Sequence, residues 1–244
     1  MYHFFIEEKP AGNEIVITGR DVKHIRNVLR MKPGEQIMVS CKNGPDYYST
    51  IVSVEAERVT ASVDRVDEEG RELPSRIHLF QGIPKSDKME LIIQKAVELG
   101  VSEMIPVSMK RCVVKLDSKK EDSRRKRWEA IAESAAKQSK RSLIPEVRPV
   151  MHYTDAVAYA ASMDLMLLPY ECAEGMEGTR KILEQVKPGM DIGIFIGPEG
   201  GFEKEEMELA VSYGGHPITL GKRILRTETA GLAILSVLMF QLEQ

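Results

Sequence analysis

The hydrophobic pattern of this chain changes period once, and that change constrains the fold more than any other feature. Up to about residue 70 the apolar residues come in short runs, 2–6, 14–18, 36–40, 47–54 and 59–66, rich in β-branched side chains. Runs this short predict half-buried strands, and the sequences between them, Lys32-Pro33-Gly34-Glu35 and Lys42-Asn43-Gly44-Pro45-Asp46, supply turns. Residues 21–29 are the exception and read as a short amphipathic helix. The expectation for 1–70 is a small β-barrel domain. Residues 67–74 (DEEGRELP) are charged, contain Gly and Pro and lack a hydrophobic period, so the linker is placed there and the second domain runs over 71–244.

Beyond the linker, apolar strands alternate with helices. Residues 77–81 read as a strand and 87–99 as a helix, whose Met89, Ile92, Ile93, Ala96 and Val97 share one face before Gly100 ends it. The alternation continues with strand 103–107, helices 123–139 and 155–161, strand 165–168, helix 179–186, strand 191–196, helix 204–213, strand 216–220 and a last helix from Glu228. This order predicts an α/β domain with a mostly parallel sheet covered on both faces. The last helix is apolar around most of its circumference from Ala230 to Phe240, too short a run to cross a bilayer. Burying it on more than one side calls for the sheet and a second copy of the chain, so a homodimer is expected.

With 43% hydrophobic residues, the 244-residue chain can bury a core, and a formal net charge of −3 excludes a globally basic protein. Cys41, Cys112 and Cys172 form neither a disulfide framework nor a zinc spacing. The N-terminus has no apolar run of signal-peptide length, and no segment has membrane-spanning length; a cytoplasmic protein without a membrane partner is expected. His3, His24, His78, His152 and His216 show no ligand spacing, so no metal is expected.

Two segments carry the chemistry. The buried strand 192–196 empties into Gly197-Pro198-Glu199-Gly200-Gly201-Phe202, and glycines at the carboxyl end of a parallel sheet let backbone approach a ligand closely. The segment is neither a P-loop nor a dinucleotide fingerprint. The next strand leads into 220–230 (LGKRILRTETA), where Thr227 or Thr229 is suited to cap the last helix. Arg223, Arg226 and Glu228 stand there in an otherwise apolar environment, where charges must be paired or used; structural pairs Arg226 to Glu228 or Arg223 to Glu199 are the alternative to a site.

GPEGGF at 197–202 with LGKRILRTETA at 220–230 resembles the knotted SPOUT methyltransferases, and most closely the ribosomal RNA small subunit methyltransferase E family. HIRNVLRMKPGE at 24–35 is similar to that family's PUA-like domain, and 85–106 and 133–145 to its catalytic domain. The resemblance implies a trefoil knot, a homodimer whose partner completes the site, and methylation of N3 of a uridine in 16S ribosomal RNA, either free or in the small ribosomal subunit. It implies S-adenosylmethionine held by Leu168, Pro169, Ile196, Gly197, Gly200, Gly201, Leu220, Gly221, Ile224, Leu225 and Thr227. For the chemistry, Arg226 is the candidate to stabilise the uracil anion and Glu199 to accept its proton. For RNA contact the candidates are His24, Arg26 and Arg30, Lys85 and Lys88, and Arg141 in a basic stretch that begins at 119–127 and includes Trp128. Methylation of a ribose 2'-hydroxyl or of transfer RNA, and a non-catalytic RNA-binding protein, are the alternatives.

Overall fold

The computed structural model describes all residues except Ala11, Lys42, Asn43, 115–117, Cys172, Glu174 and Gln244, and the side chains of Ser118 and Lys119. Two turn residues, one of the cysteines and one residue of the basic stretch singled out above therefore lie outside the described parts. The chain forms two compact units, Met1–Glu72 with Ala136–Ile144, and Leu73–Ala135 with Pro145–Gln244.

In the first unit, strands β1 (Tyr2–Ile6), β2 (Glu14–Thr18), β3 (Gln36–Cys41), β4 (Asp46–Val54) and β5 (Arg58–Asp67) form one sheet in the order β1-β3-β4-β5-β2. Pairing is antiparallel except between β1 and β3. Alternation in β2, with Ile15 and Ile17 buried and Glu14, Val16 and Thr18 exposed, shows why the short runs read correctly as strands. This small curled sheet, with β1 and β2 at the two ends of its strand order, is the β-domain expected of the first 70 residues. Register shifts in β4 against β5 at Tyr48/Ser49 and Ile51/Ser53 are where such a sheet bends.

The expected helix at 21–29 begins as α1 (Arg20–Lys23) and continues as a π-helical segment, His24–Leu29. Val22 and Ile25 join the core of the sheet, while the wider turn leaves His24, Arg26 and the left-handed Arg30 (φ 52°) exposed. The linker is no loose tether. Glu72 accepts hydrogen bonds from the Arg141 guanidinium and from the backbone N–H groups of Ser142 (2.9 Å) and Leu143 (3.2 Å). Fully buried Asp46 accepts from Ser142 Oγ at 2.8 Å and from Ser40, whose hydroxyl also meets His3 Nε2 at 2.7 Å.

The second unit holds a parallel sheet in the order β12-β10-β11-β6-β7-β8. Its strands are β6 (Arg76–Gly82), β7 (Glu103–Ser108), β8 (Glu146–Val147), β9 (Met151–His152), which also pairs with β7, β10 (Leu165–Pro169), β11 (Asp191–Ile196) and β12 (His216–Ile218). The helices are α2 (Lys88–Glu98), α3 (Ser118–Ser139), α4 (Tyr153–Ala160), α5 (Met176–Leu183), α6 (Lys204–Ser212) and α7 (Thr227–Leu242).

Neighbouring residues of one strand face opposite sides, and the register of β6 with β11 sorts the helices accordingly. Phe80 and Phe195 stack at 4.3 Å on the side packed by Ala156, Val157 and Ala160 of α4 and Met207 and Ala210 of α6. Leu79 and Ile196 instead meet Gly231 of α7, which packs on α2. Strands buried on both faces account for the nearly continuous apolar runs of β6, β10 and β11. The two-residue strands β8 and β9 have no sequence signal, being too short to show a period. Among the described residues no helix is long and apolar enough to cross a membrane.

Candidate functional site

Because β10, β11 and β12 are parallel neighbours, the segments that leave their carboxyl ends emerge together. They enclose a cavity of about 450 Å³ lined by 169–171, 196–202 and 219–227, with Lys88 of α2 and Ala230 of α7. Of the eleven residues expected to hold a cofactor, all but Leu168 line it; Leu168 is buried in the sheet core. Both candidate catalytic residues, Arg226 and Glu199, line it as well.

The Gly-rich turn after β11 is built for close packing. Gly201 has φ +70°, a left-handed conformation that a side chain strains, and closes the turn through its N–H to the carbonyl of Pro198 at 2.9 Å. A Cβ on Gly200 would stand 2.9 Å from Cβ of Arg111, so this glycine makes room for protein rather than ligand. Arg111 holds the turn by donating to the Gly200 carbonyl at 2.8 Å and to Glu203, which caps α6. Nothing in the sequence pointed to Arg111, which reaches across 89 residues of chain to that carbonyl.

Thr227 is not the cap of α7 but its first residue, the N-cap being Arg226 without a side-chain bond. Its hydroxyl instead donates to the Gly197 carbonyl at 2.7 Å and accepts from Gln81 Nε2 at 2.9 Å, tying β6, the Gly-rich turn and α7 together. Gln81, fully buried, was legible only as a polar residue ending an apolar strand. Between Gly221 and α7 the chain makes little use of its own backbone: among the described residues the N–H groups of 222–225 have no hydrogen-bond partner. Backbone donors left unpaired at a cavity wall are a resource for a ligand.

The charges divide into fixed and free. Lys88 Nζ lies 3.0 Å from Glu199 Oε1 and 3.2 Å from Glu228 Oε2. Glu199 also accepts from the backbone N–H of Lys85 at 3.1 and 3.3 Å. Burial alone would raise the Glu199 carboxyl, but the Lys88 ammonium and these N–H bonds outweigh it and hold it below the usual carboxylate range. The alternative pair of Arg223 with Glu199 does not form; Lys88 takes that place. Arg226 is 80% exposed and its Nη1 approaches Glu228 Oε1 only to 4.0 Å.

Of the residues expected to touch RNA, His24, Arg26, Arg30 and Lys85 are exposed. Arg141 is employed otherwise: its side chain is 5% exposed and locked to Glu72, because an unpaired guanidinium at that depth would be costly. Lys88 is occupied by its two carboxylates. In the basic stretch Arg125 pairs with Asp122 and Glu129, Arg127 with Glu90, and Trp128 is buried rather than on the surface.

Residues 71–239 match the model of an RNA methyltransferase domain, and 17–64 that of an RNA methyltransferase PUA domain. Over 241 residues the sequence is 39% identical to the ribosomal RNA small subunit methyltransferase E of Bacillus subtilis, covering 98% of this chain and 93% of that protein. The protein of the same name from Mesomycoplasma hyopneumoniae is 35% identical, with 97% and 98% covered. The crystal structure of a ribosomal RNA small subunit methyltransferase E from Neisseria gonorrhoeae bound to S-adenosyl methionine superposes with a TM-score of 0.84 at 32% identity, over 99% of this chain and 98% of that one.

Proposed function

The chain belongs to the ribosomal RNA small subunit methyltransferase E family, and from that premise we propose how its cavity methylates N3 of a uridine in the 16S ribosomal RNA of the small subunit. It is an RNA methyltransferase whose cofactor is S-adenosylmethionine. The residues present fit that group. A cavity of about 450 Å³ is in the range of small-molecule sites, and the unpaired N–H groups of 222–225 supply donors for the edge of a nucleobase. Ile196, Gly197, Gly200, Gly201, Leu220, Gly221, Ile224 and Leu225 would hold it with Pro169, while Thr227 acts from below by fixing the Gly197 carbonyl. When bound, the cofactor supplies an electrophilic methyl group on a sulfonium.

The protein's own residues then have two tasks. The rigid turns align the reacting centres, which supplies rate through effective concentration. Uracil N3 carries a proton at neutral pH and is a poor nucleophile, so its anion must be stabilised as the proton leaves. Arg226, at the rim, 80% exposed and held only by a 4.0 Å approach to Glu228, takes that role. Its exposure in the free protein is consistent with a side chain that RNA covers on docking. Glu199, ionised and already bound by Lys88 and the Lys85 N–H, is better suited to anchoring than to accepting a proton.

RNA is held by His24, Arg26 and Arg30 on the π-helical segment and by Lys85 beside the cavity, all exposed cations or imidazoles suited to phosphates and unstacked bases. The homodimer reading, with the partner completing the site, is supported by α7, which buries Ile234, Leu235, Leu238 and Leu242 yet leaves Val237 44% and Phe240 80% exposed. A knotted path through the cavity turns and a cytoplasmic location complete the proposal.

The observation that carries this reading is the convergence of the segments after β10, β11 and β12 on one cavity with unpaired backbone donors. Mass spectrometry of small-subunit ribosomal RNA from cells with and without the gene tests it. One methyl lost from a uracil base is the expected result; a lost ribose methyl would move the activity to 2'-hydroxyl chemistry, and no loss would refute it.

A further inference from the structure

Lys88 occupies a position that local physics disfavours. As the first residue of α2 it places a cation at the positive end of a helix macrodipole. The turn before it contains Ser86 with φ 56°, a left-handed conformation uncommon for a residue with a side chain. Two unfavourable features in one short turn call for a compensating interaction, and Glu199 provides it. The turn wraps that carboxylate with the Lys85 N–H on one side and Lys88 Nζ on the other. The same ammonium reaches Glu228 in the first turn of α7. Lys88 is thus a single charge shared by the Gly-rich turn and the entrance to the last helix, the two walls of the cavity.

We propose that Lys88 is a positioning residue of the methyl-donor cavity, fixing the spacing of its two walls through Glu199 and Glu228, and that it does not contact RNA phosphate. This rests on the reading that S-adenosylmethionine occupies the cavity. Without Lys88, Glu199 and Glu228 face each other as like charges and the walls separate. Cofactor affinity therefore depends on this lysine, while RNA affinity does not. The guanidinium of an arginine can serve both carboxylates, so Arg substitutes and a neutral side chain does not.

The test is calorimetry of the full chain with S-adenosylmethionine, alongside binding of a small-subunit ribosomal RNA transcript across a salt series. Lys88→Met weakens cofactor binding about tenfold, the scale of a lost charged hydrogen bond, with RNA affinity and its salt slope unchanged. Lys88→Arg restores affinity to near the original. In a Glu199→Gln background the Lys88→Met change costs less, because the lysine acts through that carboxylate. In Lys88→Met cofactor affinity also recovers as the pH is lowered, an acid limb absent from the unaltered protein, because Glu199 without the ammonium that keeps it ionised takes up a proton and its repulsion of Glu228 is relieved. A purely structural loss, read from the melting temperature, would produce neither the Glu199 coupling nor the acid limb, and their absence overturns the proposal. So does unchanged cofactor affinity, or an RNA salt slope reduced by about one, the signature of a lost phosphate contact. If the unaltered protein itself gives no heat with the cofactor, the underlying function fails instead.

Discussion

The two ends of the parallel sheet both gather charges, and they differ in everything else. At the carboxyl end Lys88, Glu199, Glu228 and Arg226 stand around an open cavity beside unpaired backbone. At the amino end His78, 1% exposed, binds Glu103 Oε2 at 2.7 Å, and Glu103 also accepts from Tyr159 at 2.9 Å and pairs with Arg148 at 3.1 Å. In the amino-end cluster the Glu103 carboxylate accepts hydrogen bonds from two side chains and is charge-paired with a third. Perturbed charges at a sheet end therefore do not make a site. Room and backbone without partners do, and among the described residues the carboxyl end combines them with a largely exposed cation, Arg226.

That contrast breaks most visibly at Arg226. Arg226→Ala should lower turnover by about 10²–10³-fold, the cost of removing one donor to a developing anion, with cofactor affinity from calorimetry unchanged. Turnover within a few-fold of the original would put Arg226 on the same footing as the amino-end cations. At the other end, Glu103→Gln should cost about 3 kcal/mol of unfolding free energy in urea by leaving buried His78 and Arg148 short of a partner. Cofactor affinity at temperatures where the variant is folded should not change. A selective loss of cofactor binding would show that the two ends are coupled.

Acid sharpens the same distinction. Burial alone would raise the Glu103 carboxyl, but the bonds from His78 and Tyr159 with the Arg148 charge outweigh it and hold it below the usual range. With the folded value below the unfolded one, its contribution is complete above the unfolded carboxylate pKa of about 4.3 and is lost as pH falls through the folded value. The protein should therefore lose more stability than Glu103→Gln between pH 6 and pH 3; equal losses would contradict the assignment. The smallest effect belongs to the turn. Gly201→Ala, forced to φ +70°, should cost about 1 kcal/mol and weaken cofactor binding, whereas Gly189→Ala, also at positive φ (+91°) but outside the cavity, should cost similar stability and leave binding alone.

The legible parts of this molecule are those written in local periods. Strands β1 to β7, β10 and β11 and the buried face of α2 follow from alternation or from helical spacing, and the turn 197–202 announces itself by three glycines after an apolar strand. What was not legible depends on distant partners. Arg141 reads as a free cation until Glu72, 69 residues away, is placed against it. Lys88 reads as an RNA contact until Glu199 and Glu228 enclose it, and Thr227 as a cap until Gln81, 146 residues earlier, claims its hydroxyl. The π-helical segment was hidden for a different reason: its buried Val22 and Ile25 fit an ordinary helical spacing, and the wider turn comes from packing.

Amide hydrogen exchange with and without saturating S-adenosylmethionine tests the central contrast most directly. Exchange of the N–H groups at 222–225 and in the turn 197–202 should slow on adding the cofactor, while β7 and the His78–Glu103 cluster stay unchanged. Slowing at the amino end of the sheet with those two segments unaffected would contradict the account.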